Sequence, residues 1–158
     1  MPPYANREKD PITLASVVAT ALTPVNESAV AGFGAFKHLL LFLDVTAVSI
    51  TAGTTPTETL EVWIQHTPDD GTTWDDVLAF KTSAMSDAGT EQHIGEISMN
   101  NGTPAAPAAI QTGGGSPAFA QRGNGYISDD LRVAYDLTEA GAPSARSVTF
   151  TVTAVGRP

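Results

Sequence analysis

Apolar and polar residues alternate one by one through much of the chain from about residue 12 onward. In Ser147-Val148-Thr149-Phe150-Thr151-Val152-Thr153-Ala154, one face collects Val148, Phe150, Val152 and Ala154. The other face collects Ser147, Thr149, Thr151 and Thr153. A period of two predicts a half-buried antiparallel strand, and β-branched threonine suits its solvent side. Leu131, Val133, Tyr135 and Leu137 alternate in the same way with Asp130, Arg132, Ala134 and Asp136. So do Leu60, Val62 and Ile64 with Glu61, Trp63 and Gln65. The stretch from Lys37 to Ile50 is apolar on both faces through Leu43, which predicts a central strand that becomes half exposed after Asp44. Shorter alternations predict further strands at Thr13–Leu22, Asp76–Thr82 and Glu91–Ser98.

Turn signals separate these runs: Asp70-Gly71, Asn101-Gly102, Asn124-Gly125 and Gly141-Ala142-Pro143-Ser144. No window carries a capped helical period, although Asn26–Phe36 has room for one short helical turn. About seven or eight strands in one domain predict an all-β antiparallel sandwich, jelly-roll-like, with a small β-barrel as the alternative. Residues 1–11 are polar and proline-rich and read as an N-terminal arm to a single domain over 12–158. Within that domain, 100–125 reads as a long Gly/Pro/Ala-rich loop, and a loop of that length is usually functional or disordered. No internal repeat at a fixed period is present.

Composition narrows the classes. The 158 residues are 42% hydrophobic, enough for a core, and only 16% charged, so Thr, Ser, Gly and Asn supply the polarity. Eight Lys and Arg against 17 Asp and Glu give a net charge of -9, and the cations are scattered, which argues against nucleic acid as a direct partner. The absence of cysteine rules out disulfides, thiolate metal sites and cysteine nucleophiles. The first ten residues lack the apolar core of a secretory signal. Leu39–Leu43, stopped by Asp44, is too short to cross a bilayer. The expectation is a protein made and kept in the cytoplasm until it is assembled, with no membrane partner.

The most specific local pattern is Thr67-Pro68-Asp69-Asp70-Gly71-Thr72-Thr73-Trp74. Asp69 is placed to accept hydrogen bonds from the turn's own amides, Gly71 to take a positive φ, and Trp74 to cover the turn. Thr67, Asp69, Gly71, Thr73 and Trp74 are therefore read as a structural hairpin clasp. The pattern resembles the Asp-box of sialidases and other propellers, where it is structural and repeats from blade to blade. Here it occurs once, and a six-bladed propeller needs about twenty-four strands.

A wider stretch resembles small virion proteins of tailed bacteriophages. It comprises Leu43-Asp44-Val45-Thr46-Ala47-Val48 and then Thr55 through Trp74, a strand, a Thr/Pro loop, a second strand and a turn of the "SPDGGTTW" type. Thr67 and Asp70 stand where Ser and Gly are commoner. Leu131–Tyr135, Ala142-Pro143-Ser144 and Val148–Val152 extend the likeness to about half of the chain. The resemblance implies a capsid or tail structural component and carries over no active site.

Other chemistry finds less support. His38, His66 and His93 form no short ligand pair for zinc, and are expected as partly buried or surface histidines. Asp69, Asp70, Asp75 and Asp76 are dense in hard oxygen ligands but lack EF-hand spacing, and read as a solvated turn. Glu58, Glu61, Glu91 and Glu96 are glycosidase carboxylates by type only, because sequence cannot pair them. There is no phosphate-binding Gly-Lys-Ser/Thr loop and no nucleophile elbow, and Gly32-Phe33-Gly34 is too short to count. The sequons Asn26-Glu27-Ser28 and Asn101-Gly102-Thr103 are read as chance without a secretory signal. Trp63 lies on the polar side of its strand, where an indole either stacks on a sugar or packs against a neighbour.

The expectation is therefore a virion structural protein, foremost a capsid decoration or cement protein bound across capsid subunits. Its partners would be the major capsid protein or other virion proteins, in a homo-oligomeric state such as a trimer, with Asn100–Gly125 in contact. No enzyme activity, metal or cofactor is expected. A tail or neck component, or a carbohydrate-binding adhesive module, is the alternative.

Overall fold

The computed structural model describes residues 10–20, 24–51, 59–85, 89–98, 110–112, 127–138 and 145–157. The strands are β1 (Ile12–Ala19), β2 (Val25–Asn26), β3 (His38–Thr51), β4 (Thr59–His66), β5 (Asp75–Lys81), β6 (Glu91–Ser98), β7 (Ile110–Thr112), β8 (Leu131–Thr138) and β9 (Ala145–Arg157). They form a five-stranded sheet in the order β1-β9-β3-β6-β7 and a four-stranded sheet in the order β2-β8-β4-β5. Every pairing is antiparallel. The all-β sandwich expected from the alternation is the fold, and the two sheets are open rather than closed into a barrel.

The strand order has a simple origin. Setting the short β7 aside, the first strand pairs with the last, the second with the next to last, β3 with β6 and β4 with β5. Those are the rungs of one long antiparallel ribbon. Rolling the ribbon brings β3 against β9 and β4 against β8, which completes both sheets. This is the jelly roll, a double-sheet solution for chains of many short strands.

The core is the inward half of each alternation. Leu39, Leu41, Leu43 and Val45 of β3 and Val148, Phe150, Val152 and Ala154 of β9 face Leu60, Val62, Ile64, Val133 and Leu137 of the other sheet. Tyr135 meets Phe150 edge-on across the sandwich, ring centroids 5.2 Å apart. Gly95 is a packing requirement, since a Cβ there would overlap the Leu78 side chain.

Three details differ from the alternation. Asn26–Phe36 contains the second residue of β2, a bridge from Val30 to Leu131 and a tight turn, and no helix. In it Phe36 N–H bonds Phe33 O at 3.0 Å, while Phe33 N–H and Gly34 N–H bond the Asp129 carbonyl and carboxylate. Phe33 and Phe36 are thereby pushed into the core, a better use of two aromatics than a polar helical turn. Second, 100–125 is not loop throughout, because Ile110–Thr112 pairs with β6 as β7. Third, β1 ends at Ala19 rather than near Leu22. The arm up to residue 9, the rest of 100–125, and the Asn101-Gly102, Asn124-Gly125 and Gly141–Ser144 turns lie outside the described residues.

Candidate functional site

The Thr67–Trp74 turn joins β4 to β5 and is held almost entirely by its own side chains. Thr67 Oγ1 accepts the Gly71 amide at 2.6 Å and the Asp69 amide at 3.4 Å. Asp69 Oδ1 accepts the Thr73 amide at 2.6 Å and the Thr67 hydroxyl at 3.2 Å. Those donors favour the carboxylate, the Thr73 amide foremost, and hold the Asp69 pKa below the usual range. Thr72 N–H bonds Asp69 O at 3.3 Å, and the two residues between have φ of 52° at Asp70 and 90° at Gly71. Two successive positive φ values are those of a type I′ turn, which suits Asp followed by Gly. Trp74 donates its indole N–H to Gly71 O at 3.2 Å.

Trp74 is half-buried and lies outside the core. The Arg132 guanidinium sits 4.2 Å from its ring centroid. Arg132 Nε also donates to Gln65 Oε1 at 2.8 Å, and Gln65 Nε2 donates to Asp76 Oδ1 at 2.7 Å. The chain Trp74–Arg132–Gln65–Asp76 runs across β8, β4 and β5 and anchors the turn to the outside of the four-stranded sheet. On the inside, Thr67 N–H bonds Ser128 Oγ at 3.1 Å, and Ser128 N–H bonds His66 Nδ1 at 3.3 Å. Burial lowers the His66 pKa, consistent with an Nδ1 that must stay unprotonated to accept.

The remaining candidates are dispersed. His93 is buried beside Phe80 with Nε2 3.0 Å from Glu91, whereas His38 is 3.7 Å from Glu96 at the surface. Glu61, on the other sheet, pairs with Lys81, and Glu91 also accepts from Ser83. Glu58 lies outside the described residues. Asp69 and Asp76 spend carboxylate oxygens on Thr73 and Gln65. Among the described residues, no cluster of three or more potential metal ligands occurs, and no helix is long and apolar enough to cross a membrane.

Register places the outward side chains in rows. Outside the four-stranded sheet, Asp136–Glu61–Lys81 lies above Asn26–Ala134–Trp63–Ala79, and Arg132–Gln65–Asp76 lies below. Trp63 is half-buried between two alanines. Outside the five-stranded sheet one row is uncharged, Thr153–Phe42–Ile94, and it lies between Val155–Leu40–Glu96 and Thr151–Asp44–Gln92. Leu40, Phe42, Ile94 and Val155 are each only partly buried. No family model matches the chain, and no curated protein or solved structure does either.

Two features were beyond the sequence argument. The Arg132–Gln65–Asp76 network and the His66–Ser128 tie join residues far apart in the chain, with no local pattern to flag them. The apolar patch has a signal, the two-faced apolar run through Leu43, but a central strand covered on both faces gives the same pattern.

Proposed function

We propose that the chain is a structural protein of a tailed-bacteriophage virion, a capsid decoration or cement protein that binds across capsid subunits. The observation that carries the binding role is the outward patch of Leu40, Phe42, Ile94 and Val155. A cluster of four partly exposed aliphatic and aromatic side chains on an outer sheet face is a feature that interaction surfaces share. The virion itself is argued from the resemblance of the Leu43–Trp74 region, and the jelly roll is one of the folds that capsid domains use. Mass spectrometry of particles produced by the genome that encodes the chain tests this: the protein should be present in fixed stoichiometry. Its absence from purified particles ends the proposal.

In mechanism, the patch packs against the major capsid protein or another virion protein, with Thr153, Asp44, Gln92 and Glu96 around it as a polar rim. A contact of about 800 Å² per partner, repeated over the lattice, gives stable attachment. A tail or neck location uses the same surface, and electron microscopy of labelled particles separates the two. One observation favours a second reading, an adhesive module that binds carbohydrate. Trp63 presents its indole between Ala134 and Ala79, with hydrogen-bonding side chains in the rows on either side. A glycan array that finds no ligand removes it.

A further inference from the structure

The two sheets have four edges, and three of them are guarded against pairing with another chain. β2 has two residues and β7 has three, too short to template a partner. β5 carries Asp75, Asp76 and Lys81, and the register skips Val77, so a bulge interrupts the strand. β1 is different. It is eight residues long, Ile12-Thr13-Leu14-Ala15-Ser16-Val17-Val18-Ala19, with no charge and no proline. Among the described residues no strand pairs with its outer side. Its Val18 is 61% exposed, the one large hydrophobic so exposed among the described residues.

We infer that the β1 edge is a self-association surface, where a second copy of this chain adds its own β1 antiparallel about a two-fold axis. Charge selects the partner. Each copy carries -9, yet no residue from Pro11 to Pro24 is ionisable, so two copies meet along this edge without opposing like charges. The structure also fixes the register. β1 has a bulge between Thr13 and Ala15, leaving Ala15–Ala19 as its regular part. Directly opposed residues of an antiparallel pair must share a face. Ser16 and Val18 point outward, while Ala15, Val17 and Ala19 point toward the core side. Centring the two-fold on Val17 satisfies every position: Val17 faces the second copy's Val17, Ser16 its Val18, and Ala15 its Ala19. Val18 is then covered by Ser16 and, diagonally, by the other Val18. The two five-stranded sheets become one continuous sheet, a closed isologous dimer that leaves no further β1 edge. This surface is separate from the Leu40–Val155 patch and stands whether or not the virion reading does.

Sedimentation velocity across a concentration series should show a monomer–dimer equilibrium for the parent chain. Val18→Glu places carboxylates diagonally across the axis at an exposed position, so it should melt like the parent while the dimer weakens by at least roughly tenfold. The chain has no cysteine of its own. Val17→Cys should therefore give a single oxidised dimer, because directly opposed Cα atoms about 4.5–5.5 Å apart fall within disulfide reach. A parent that stays monomeric at its highest soluble concentration overturns the inference, as does a trimer. So does a Val18→Glu variant that associates like the parent, or a Val17→Cys dimer that fails to cross-link.

Discussion

The outer faces of the two sheets are built on opposite plans. Outside the four-stranded sheet, most polar side chains are committed to one another, although the buried Asp136 Oδ1 has no hydrogen-bond partner among the described residues. Arg132 reaches both Trp74 and Gln65, Gln65 reaches Asp76, and Lys81 reaches Glu61. Outside the five-stranded sheet, Gln92 donates to Asp44 and His38 lies near Glu96, and between these pairs Leu40, Phe42, Ile94 and Val155 stand together, with Glu96 directly beside Leu40. A face whose groups are satisfied internally gains little from a partner. A face with apolar side chains half in water gains about 25 cal/mol for each Å² covered. The difference teaches where to look for the partner, because both faces rest on the same core and the apolar cluster stands on one of them.

The comparison breaks first on β3, whose successive residues point to opposite sides. Leu41→Ala empties a core position and should cost about 2–5 kcal/mol in urea unfolding. Leu40→Ala removes a neighbour from the outer patch and should cost no more than about 1 kcal/mol, since its burial is partial. Equal losses would make Leu40 a core residue and remove the patch.

The clasp comes next. Thr67 is buried, and Thr67→Ala strips the acceptor from the Gly71 and Asp69 amides, for a loss of about 1–3 kcal/mol. Gly71→Val meets no atom nearby, so its cost is strain at a φ of 90°, about 1–3 kcal/mol. Partner binding should fall only as far as the folded fraction falls. Trp74→Ala, once its place outside the core is known, should lose only the Arg132 stacking and the Gly71 bond, about 1–2 kcal/mol. Binding lost from Thr67→Ala at a parental melting temperature would turn the clasp into a contact surface.

The smallest effect is a pH dependence set by His66. Its folded pKa lies below the ordinary 6.5, so as pH falls the unfolded chain takes the proton first. The His66 contribution is therefore complete above about pH 6.5 and is lost progressively below it, until pH passes the folded pKa. Melting temperatures from about pH 7.5 to 5.5 should fall for the parent and less for His66→Asn. Identical slopes would show that protonation does not break the Ser128 bond.

How much of this was legible in the sequence depends on range. Alternation exposed every long strand because burial of one face repeats every second residue, and Glu91–Ser98 matches β6 end to end. The Thr67–Trp74 turn was legible because most of its partners lie within a few residues, Ser128 and Arg132 being the exceptions. β2 and β7 were not, since two or three paired residues are too few to show a period. The placement of Trp74 was only half legible. Its bond to Gly71 is local, but Arg132, which holds it outside, comes from a strand that only the fold brings near.

The central claim is that the Leu40–Val155 face is where a virion partner binds. Its most direct test is co-sedimentation of the purified protein with particles lacking it, comparing the parent with Phe42→Asp and Trp63→Ala. The account predicts that Phe42→Asp melts below the parent but is fully folded at the assay temperature and stays in the supernatant, while the parent and Trp63→Ala pellet with the particles. Phe42→Asp pelleting as well as the parent, or Trp63→Ala alone failing to pellet, would contradict it.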